Sequence, residues 1–121
     1  MKTPSSAVKI TLALGLFFLS ISQSVAQDVI QVGATLPLTG PLALYGTAFR
    51  NGAVLAEQEI NGSGPSAPQL KVVFNDNQGD PKLAVSDARH LIEVEKVPAL
   101  IGAMDFLTVP VLPITESKKV S

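Results

Sequence analysis

The chain has no cysteine and no tryptophan, and only one histidine and one tyrosine. Each shortage removes a class of chemistry. Without cysteine there is no disulfide framework, no thiolate zinc site and no cysteine nucleophile. A lone His90 lacks the partners of a metal centre, and no serine–histidine–acid set accompanies it. Charge is scarce too: 16% of residues are charged, nine basic against ten acidic, for a net of −1. No basic run is long enough to grip a phosphate backbone, so a nucleic-acid partner is not expected. What the 121 residues do supply is apolar character, 46% of the total, enough for one small domain and too much for a disordered segment.

The amino terminus carries Lys2 and Lys9 ahead of an uncharged run from Ile10 to Ile21, and small residues follow at Ser24 and Ala26. Positive flank, apolar core and small-residue exit are the parts of a cleavable secretory signal, residues 1–26, cut after Ala26. As a helix the 12-residue run reaches only about 18 Å, short of the ~30 Å hydrocarbon core that an anchor must cross. The expected mature part, residues 27–121, keeps seven basic and ten acidic side chains, a net of −3. With no cysteine to carry a lipid, it is expected to be soluble in the periplasm, with no stable membrane insertion.

Val29 to Leu36 is rich in β-branched and apolar residues and stops against Pro37, which predicts a strand. Pro37 to Gly46 holds two glycines and two prolines and reads as a loop. A helix is predicted from a Thr47 cap to Ile60, with Phe49, Ala53, Ala56 and Ile60 on one stripe and Asn61-Gly62 as its stop. Gly52 inside it suggests close approach to a sheet. Leu70 to Phe74 is a second strand. Asp80-Pro81 then opens a second helix to about Lys96, with Ala84, Ala88, Leu91, Ile92 and Glu95 along one side. Val97 to Gly102 is a third strand, and a weaker helix over Thr108 to Lys119 contains Pro110 and Pro113. The order βαβαβα predicts an α/β fold: a three-layer, doubly wound parallel sheet with helices on both faces.

In such a sheet the winding reverses between strands one and three, and ligands bind at the carboxyl ends of the strands there. Two segments should meet at that point, Pro37–Gly46 and Ala103–Thr108. The candidate ligand-binding residues are Tyr45 on the first and Met104, Asp105, Phe106 and Thr108 on the second. Tyr45 either contacts a ligand or plugs its loop onto the sheet. Asp105 serves equally as a helix cap or as the partner of an ammonium or amide group, while Met104 and Phe106 are pocket wall or core. His90 and Lys118-Lys119 read as solvated helix surface. Neither a G-x-G-x-x-G spacing nor a P-loop lysine follows the first strand. Paired carboxylates such as Glu57/Glu59 sit two apart on a helix and face different ways. No catalysis, cofactor or metal is expected.

The stretches VGATLPLTGPLALYGTAFRNGAVLAEQEIN and FNDNQGDPKLAVSDARHLIEVEKVPALIG resemble the amino-terminal lobe of periplasmic branched-chain amino-acid-binding proteins, the type I solute receptors of ABC importers. The resemblance covers nearly all of residues 28–121 and implies a two-lobed receptor that closes on a small solute and then engages a permease and its ATPase subunits. It places Tyr45 at an aromatic position lining the pocket and the segment after Ile101-Gly102 at the second ligand loop. It also implies that residues 27–121 are the amino-terminal part of lobe 1, ending before the hinge and lobe 2, so that the piece alone is expected to be marginally stable and to bind weakly or not at all. Within that loop AMDFLT is one residue shorter than usual, with Asp105 and Phe106 where small hydroxyl residues are common. An aspartate there repels a carboxylate unless an amine or amide faces it, so the expected solute is a small amino acid or a related amide-bearing or aromatic compound captured in the periplasm. The alternatives are a ligand-sensing ectodomain of a receptor or regulator on the same fold, and an inactive gene fragment.

Overall fold

Strand β1, Val29–Leu36, is the middle strand of a three-stranded sheet. The computed structural model describes residues 28–64 and 66–121, so the expected export signal lies outside the described residues. Strand β2, Gln69–Asp76, runs parallel to β1 along its full length, from Val29 opposite Gln69 to Leu36 opposite Asp76. Strand β3, Leu100–Gly102, lies parallel on the other side, with Ala34 opposite Ile101. The order β2-β1-β3 is that of a doubly wound α/β sheet. β2 is longer than the expected Leu70–Phe74 because β1 offers it ladder partners as far as Leu36. β3 is shorter than Val97–Gly102 because Pro98 has no amide to donate and the Val97 amide turns back to Leu91 O at 3.1 Å.

Side-chain alternation assigns the two faces. Ala34, Leu36 and Val72 are buried on one of them, with Leu70, Phe74 and Ile101 around them. Helix α1, Ala43–Asn61, lies over this side with Arg50 Cζ 5.7 Å from the Phe74 ring centroid. Its polar residues also close the outer edge of β2. Glu57 Oε2 accepts from the Val72 amide at 2.9 Å, and the Asn61 side chain brackets Leu70, donating to its carbonyl at 2.9 Å and accepting from its amide at 2.7 Å. Those backbone groups would otherwise form an unpaired edge.

The opposite face is covered by helix α2, Pro81–Glu93, and by the carboxyl-terminal helices. As expected, Asp80 caps α2, its side chain accepting from the Lys82 amide at 2.7 Å, with Pro81 in the first turn. Ala84, Ala88, Leu91 and Ile92 are all buried. The helix ends at Glu93 rather than near Lys96, and Glu95 lies beyond it, exposed; Lys96 is left-handed at φ 58°. The expected helix over Thr108–Lys119 is three pieces: α3, Asp105–Thr108; a 3₁₀ turn, Val109–Val111; and α4, Leu112–Lys118. Pro110 and Pro113 each fall in the opening turn of a new segment, where a missing amide costs no helical bond. At the end of the chain Ser121 donates to Pro98 O at 3.2 Å and accepts from the Leu100 amide at 2.7 Å, one rung of a parallel ladder on the outer side of β3.

Helix α1 departs most from the sequence expectation. It begins at Ala43, not Thr47, and Leu42 precedes it without a side-chain cap. Gly46 therefore does not end a loop; it lies in the first helical turn. A Cβ there would sit 2.1 Å from Pro37 O, so only glycine lets that turn seat on the strand exit. Gly52, expected to approach the sheet, has nothing within 4 Å of a built Cβ. The Phe49, Ala53, Ala56, Ile60 stripe is helical but not covered: Phe49 is 50% exposed and Ile60 45%.

Candidate functional site

The chain leaves β1 and β3 at the same edge of the sheet, because the two strands are neighbours, parallel and in register with Thr35 opposite Gly102. Leu38, just after β1, and Met104, just after β3, both pack on the cluster of Ala34, Leu36, Val72 and Ala103. The two segments expected at the reversal of winding therefore start side by side. They are shorter as loops than the sequence suggested, since α1 and α3 take over at Ala43 and Asp105.

Tyr45 accordingly stands in the first turn of α1, with its side chain half exposed. Its amide donates to Leu42 O at 3.0 Å. On the other segment Met104 is partly buried, touching the clusters on both sides of the sheet. Asp105 is exposed at the start of α3, and Phe106 beside it is half exposed, so neither belongs to the core. Thr108 faces inward instead. It lines a cavity of about 110 Å³ together with Thr35, Leu100, Gly102 and Val111. Its hydroxyl donates to Met104 O at 2.9 Å. The amides of Leu107 and Thr108 also donate to Met104 O, at 3.1 and 3.0 Å.

Two features escaped the sequence reading. Met104 has φ 68° and ψ 130°, a conformation rare for a residue with a side chain. Three hydrogen bonds to its carbonyl and packing on two clusters hold it there, and such strain gathers at sites that must present a fixed backbone. The second feature is a polar network beneath the segment after β1. Asp76 accepts from the amides of Leu38 and Thr39 at 2.9 and 3.2 Å, from Thr39 Oγ1 at 2.6 Å and from the Gln78 amide at 2.9 Å. Next to it buried Asn77 donates to Thr35 Oγ1 at 3.1 Å, and Thr35 donates to Asp87 Oδ2 at 3.1 Å.

The two carboxylates are pushed in opposite directions. Desolvation raises the Asp76 pKa, but the hydrogen bonds from Thr39, Gln78 and Leu38 outweigh it and leave the group below its ordinary 3.8. Desolvation also raises Asp87, and there it wins over the hydrogen bonds from Thr35 and Asn75, with the charge of Asp76 adding to the rise. An open groove of about 490 Å³ runs beside α1, walled by Ala48, Phe49, Gly52, Ala53 and Ile101. His90 and Lys118 are surface residues, 3.6 Å from Glu95 and 3.3 Å from Glu93 respectively.

Comparison with known proteins adds a frame to this geometry. The family model described as periplasmic binding protein matches residues 29–121. The leucine-, isoleucine-, valine-, threonine- and alanine-binding protein of Pseudomonas aeruginosa is 40% identical over 72 residues, 59% of this chain and 19% of that protein. Leu/Ile/Val-binding protein homolog 7 of Brucella abortus is 33% identical over 92 residues, 76% of this chain and 23% of that protein. Among solved structures, a branched-chain amino acid transporter substrate-binding protein of Streptococcus pneumoniae in complex with isoleucine aligns with TM-score 0.72 and 33% identity over 77% of this chain and 27% of its own. The chain thus spans about a fifth of the length of the curated relatives it matches. These relatives are solute-binding proteins, not enzymes.

Proposed function

Because the chain belongs to the periplasmic binding protein family, we propose that residues 27–121 are the amino-terminal part of the first ligand-binding lobe of an ABC importer's solute receptor. The observation that carries the reading is the adjacency of the segments after β1 and β3, both resting on the Ala34–Leu36–Val72–Ala103 cluster at the edge where the winding reverses. That edge is where open α/β sheets take ligands. Tyr45 and Phe106 are half exposed there and offer apolar surface to a solute, and Asp105 offers a carboxylate to its ammonium or amide group. The curated relatives named for leucine, isoleucine and valine favour a branched-chain amino acid as the solute, whereas a related amide or aromatic compound rests on Asp105 and Phe106 alone. Export by the amino-terminal segment delivers the protein to the periplasm, and a permease with its ATPase subunits receives the solute.

In this reading the strained Met104 backbone fixes the second segment, so the receptor spends little of its binding energy on ordering that wall. Closure of a second lobe over the solute depends on the ligand only through contacts that differ between the open and closed forms. The test is calorimetric titration of the complete receptor that contains this chain, with leucine, isoleucine, valine, threonine, an aromatic acid and a short amide. Saturable binding of at least one of them, weakened tenfold or more by Asp105→Ala or Tyr45→Ala, is expected. Binding that both substitutions leave unchanged would remove these residues from the site.

A further inference from the structure

We propose that Asp76 is a positioning residue: it clasps the segment between β1 and α1 to the turn after β2, and so determines where Tyr45 stands. The clasp joins parts of the chain nearly forty residues apart. Asp76 Oδ1 accepts the amides of Leu38, Thr39 and Gln78, while Oδ2 accepts the Thr39 hydroxyl at 2.6 Å. Hydrogen bonds to an ionised acceptor are roughly twice as strong as neutral ones, and the lowered pKa of Asp76 keeps the acceptor charged. Packing follows the same line. Gln78 O lies 3.3 Å from the Cβ position of Gly40, and the Leu42 side chain lies 3.2 Å from that of Gly79, whose φ of +78° shapes the turn.

From the clasp the path to Tyr45 is short. Pro37 to Leu42 is pinned at its start by Asp76. At its end Leu42 O accepts the amides of Tyr45 and Gly46 at 3.0 and 3.2 Å. Gly46 in turn seats on Pro37 O, which closes the loop on itself. The first turn of α1, and with it the Tyr45 backbone that carries the phenol, therefore inherits its place from a carboxylate on another strand. Only the step from Tyr45 to a solute rests on the proposed function; the placement of Tyr45 does not.

The sequence supplies its own probe, since Tyr45 is the one tyrosine and tryptophan is absent. Its fluorescence anisotropy in the 121-residue chain is compared among the parent, Asp76→Ala, Asp76→Asn and Asp80→Ala. With unchanged far-UV circular dichroism, Asp76→Ala is expected to lower the anisotropy by roughly a third as the ring gains nanosecond freedom. Asp76→Asn, which keeps one acceptor oxygen, should fall part of the way. Asp80→Ala removes the cap of α2 but not the clasp, and should leave the anisotropy alone. If Asp76→Ala fails to fold, Thr39→Val removes only the exposed hydroxyl contact and should lower the anisotropy in the same direction. Parental anisotropy in a folded Asp76→Ala or Thr39→Val chain, or an equal fall in Asp80→Ala, overturns the proposal. This readout needs no solute, so its failure is separate from a failure of the receptor reading.

Discussion

Helices α1 and α2 lie on opposite faces of one sheet, and both carry apolar residues at helical spacing, yet only one of them is covered. α2 sinks Ala84, Ala88, Leu91 and Ile92 to 7% exposure or less. α1 is longer, 19 residues against 13, and buries only Gly46. On its sheet side polar side chains are engaged, Arg50 over Phe74 and Glu57 and Asn61 on the edge of β2. On the neighbouring flank Phe49, Gly52 and Ala53 line the open groove together with Ile101. A period of 3.6 residues reports which side of a helix is apolar. Whether that side meets a partner depends on what the rest of the fold brings to it.

The largest expected effect separates these two helices directly. Leu91 is fully buried, so Leu91→Ala should cost about 2–5 kcal/mol through lost transfer energy and the cavity left behind. Phe49 is half in water already, and Phe49→Ala should cost about 1 kcal/mol or less, as exposed substitutions do. Urea denaturation of the two variants measures both. Equal losses would mean that the flank of α1 is covered in solution, and the contrast between the faces would collapse.

A smaller effect contrasts the two carboxylates under the candidate site. Asp76 has a folded pKa below 3.8, so its contribution to stability is present above that value and is lost as pH falls through the folded pKa. Asp87 has a raised pKa, so the stability linked to its protonated form is present below 3.8 and is lost as pH rises through the folded pKa. Asp76→Asn should therefore destabilise the chain near neutral pH and converge on the parent in acid. Asp87→Asn, which keeps an acceptor for Thr35, should stabilise near neutral pH and also converge in acid. Thermal melts from about pH 7 to about pH 3 read both signs. If both variants destabilise near neutral pH, burial does not dominate at Asp87.

Much of this was legible in the sequence where local chemistry decides the outcome. Asp80-Pro81 announces the start of α2, the Ala84–Ala88–Leu91–Ile92 spacing gives its buried side, and the β1 run ends where Pro37 stops it. The reversal of winding followed from element order alone, and it placed the segments after β1 and β3 together. What stayed hidden depends on contacts between distant residues. Gly46 looked like the end of a loop because its reason, the Pro37 carbonyl, becomes visible only once α1 is seated. That mistake moved Tyr45 out of the helix. Met104 gives no local sign of its backbone strain, and Asp76 fell outside the expected second strand, which ended at Phe74, while its partners Leu38 and Thr39 lie on another strand's exit.

The smallest expected effect tests the open flank of α1 from the other direction. Glycine inside a helix costs up to about 1 kcal/mol relative to alanine, and a Cβ at Gly52 meets nothing within 4 Å. Gly52→Ala should therefore stabilise the chain by up to about 1 kcal/mol, through the reduced entropy of the unfolded state. The gain would appear as a higher urea midpoint with an unchanged slope. Gly52 also lines the open groove with Phe49 and Ile101. If, as proposed, the chain forms part of a longer receptor and a covering element packs there, the added methyl group must compete with it, and the gain should shrink or reverse in that longer protein. A gain of equal size in both would show that this flank remains open to solvent. A loss in the chain itself would show that Gly52 is held close to a neighbour, against the geometry described above.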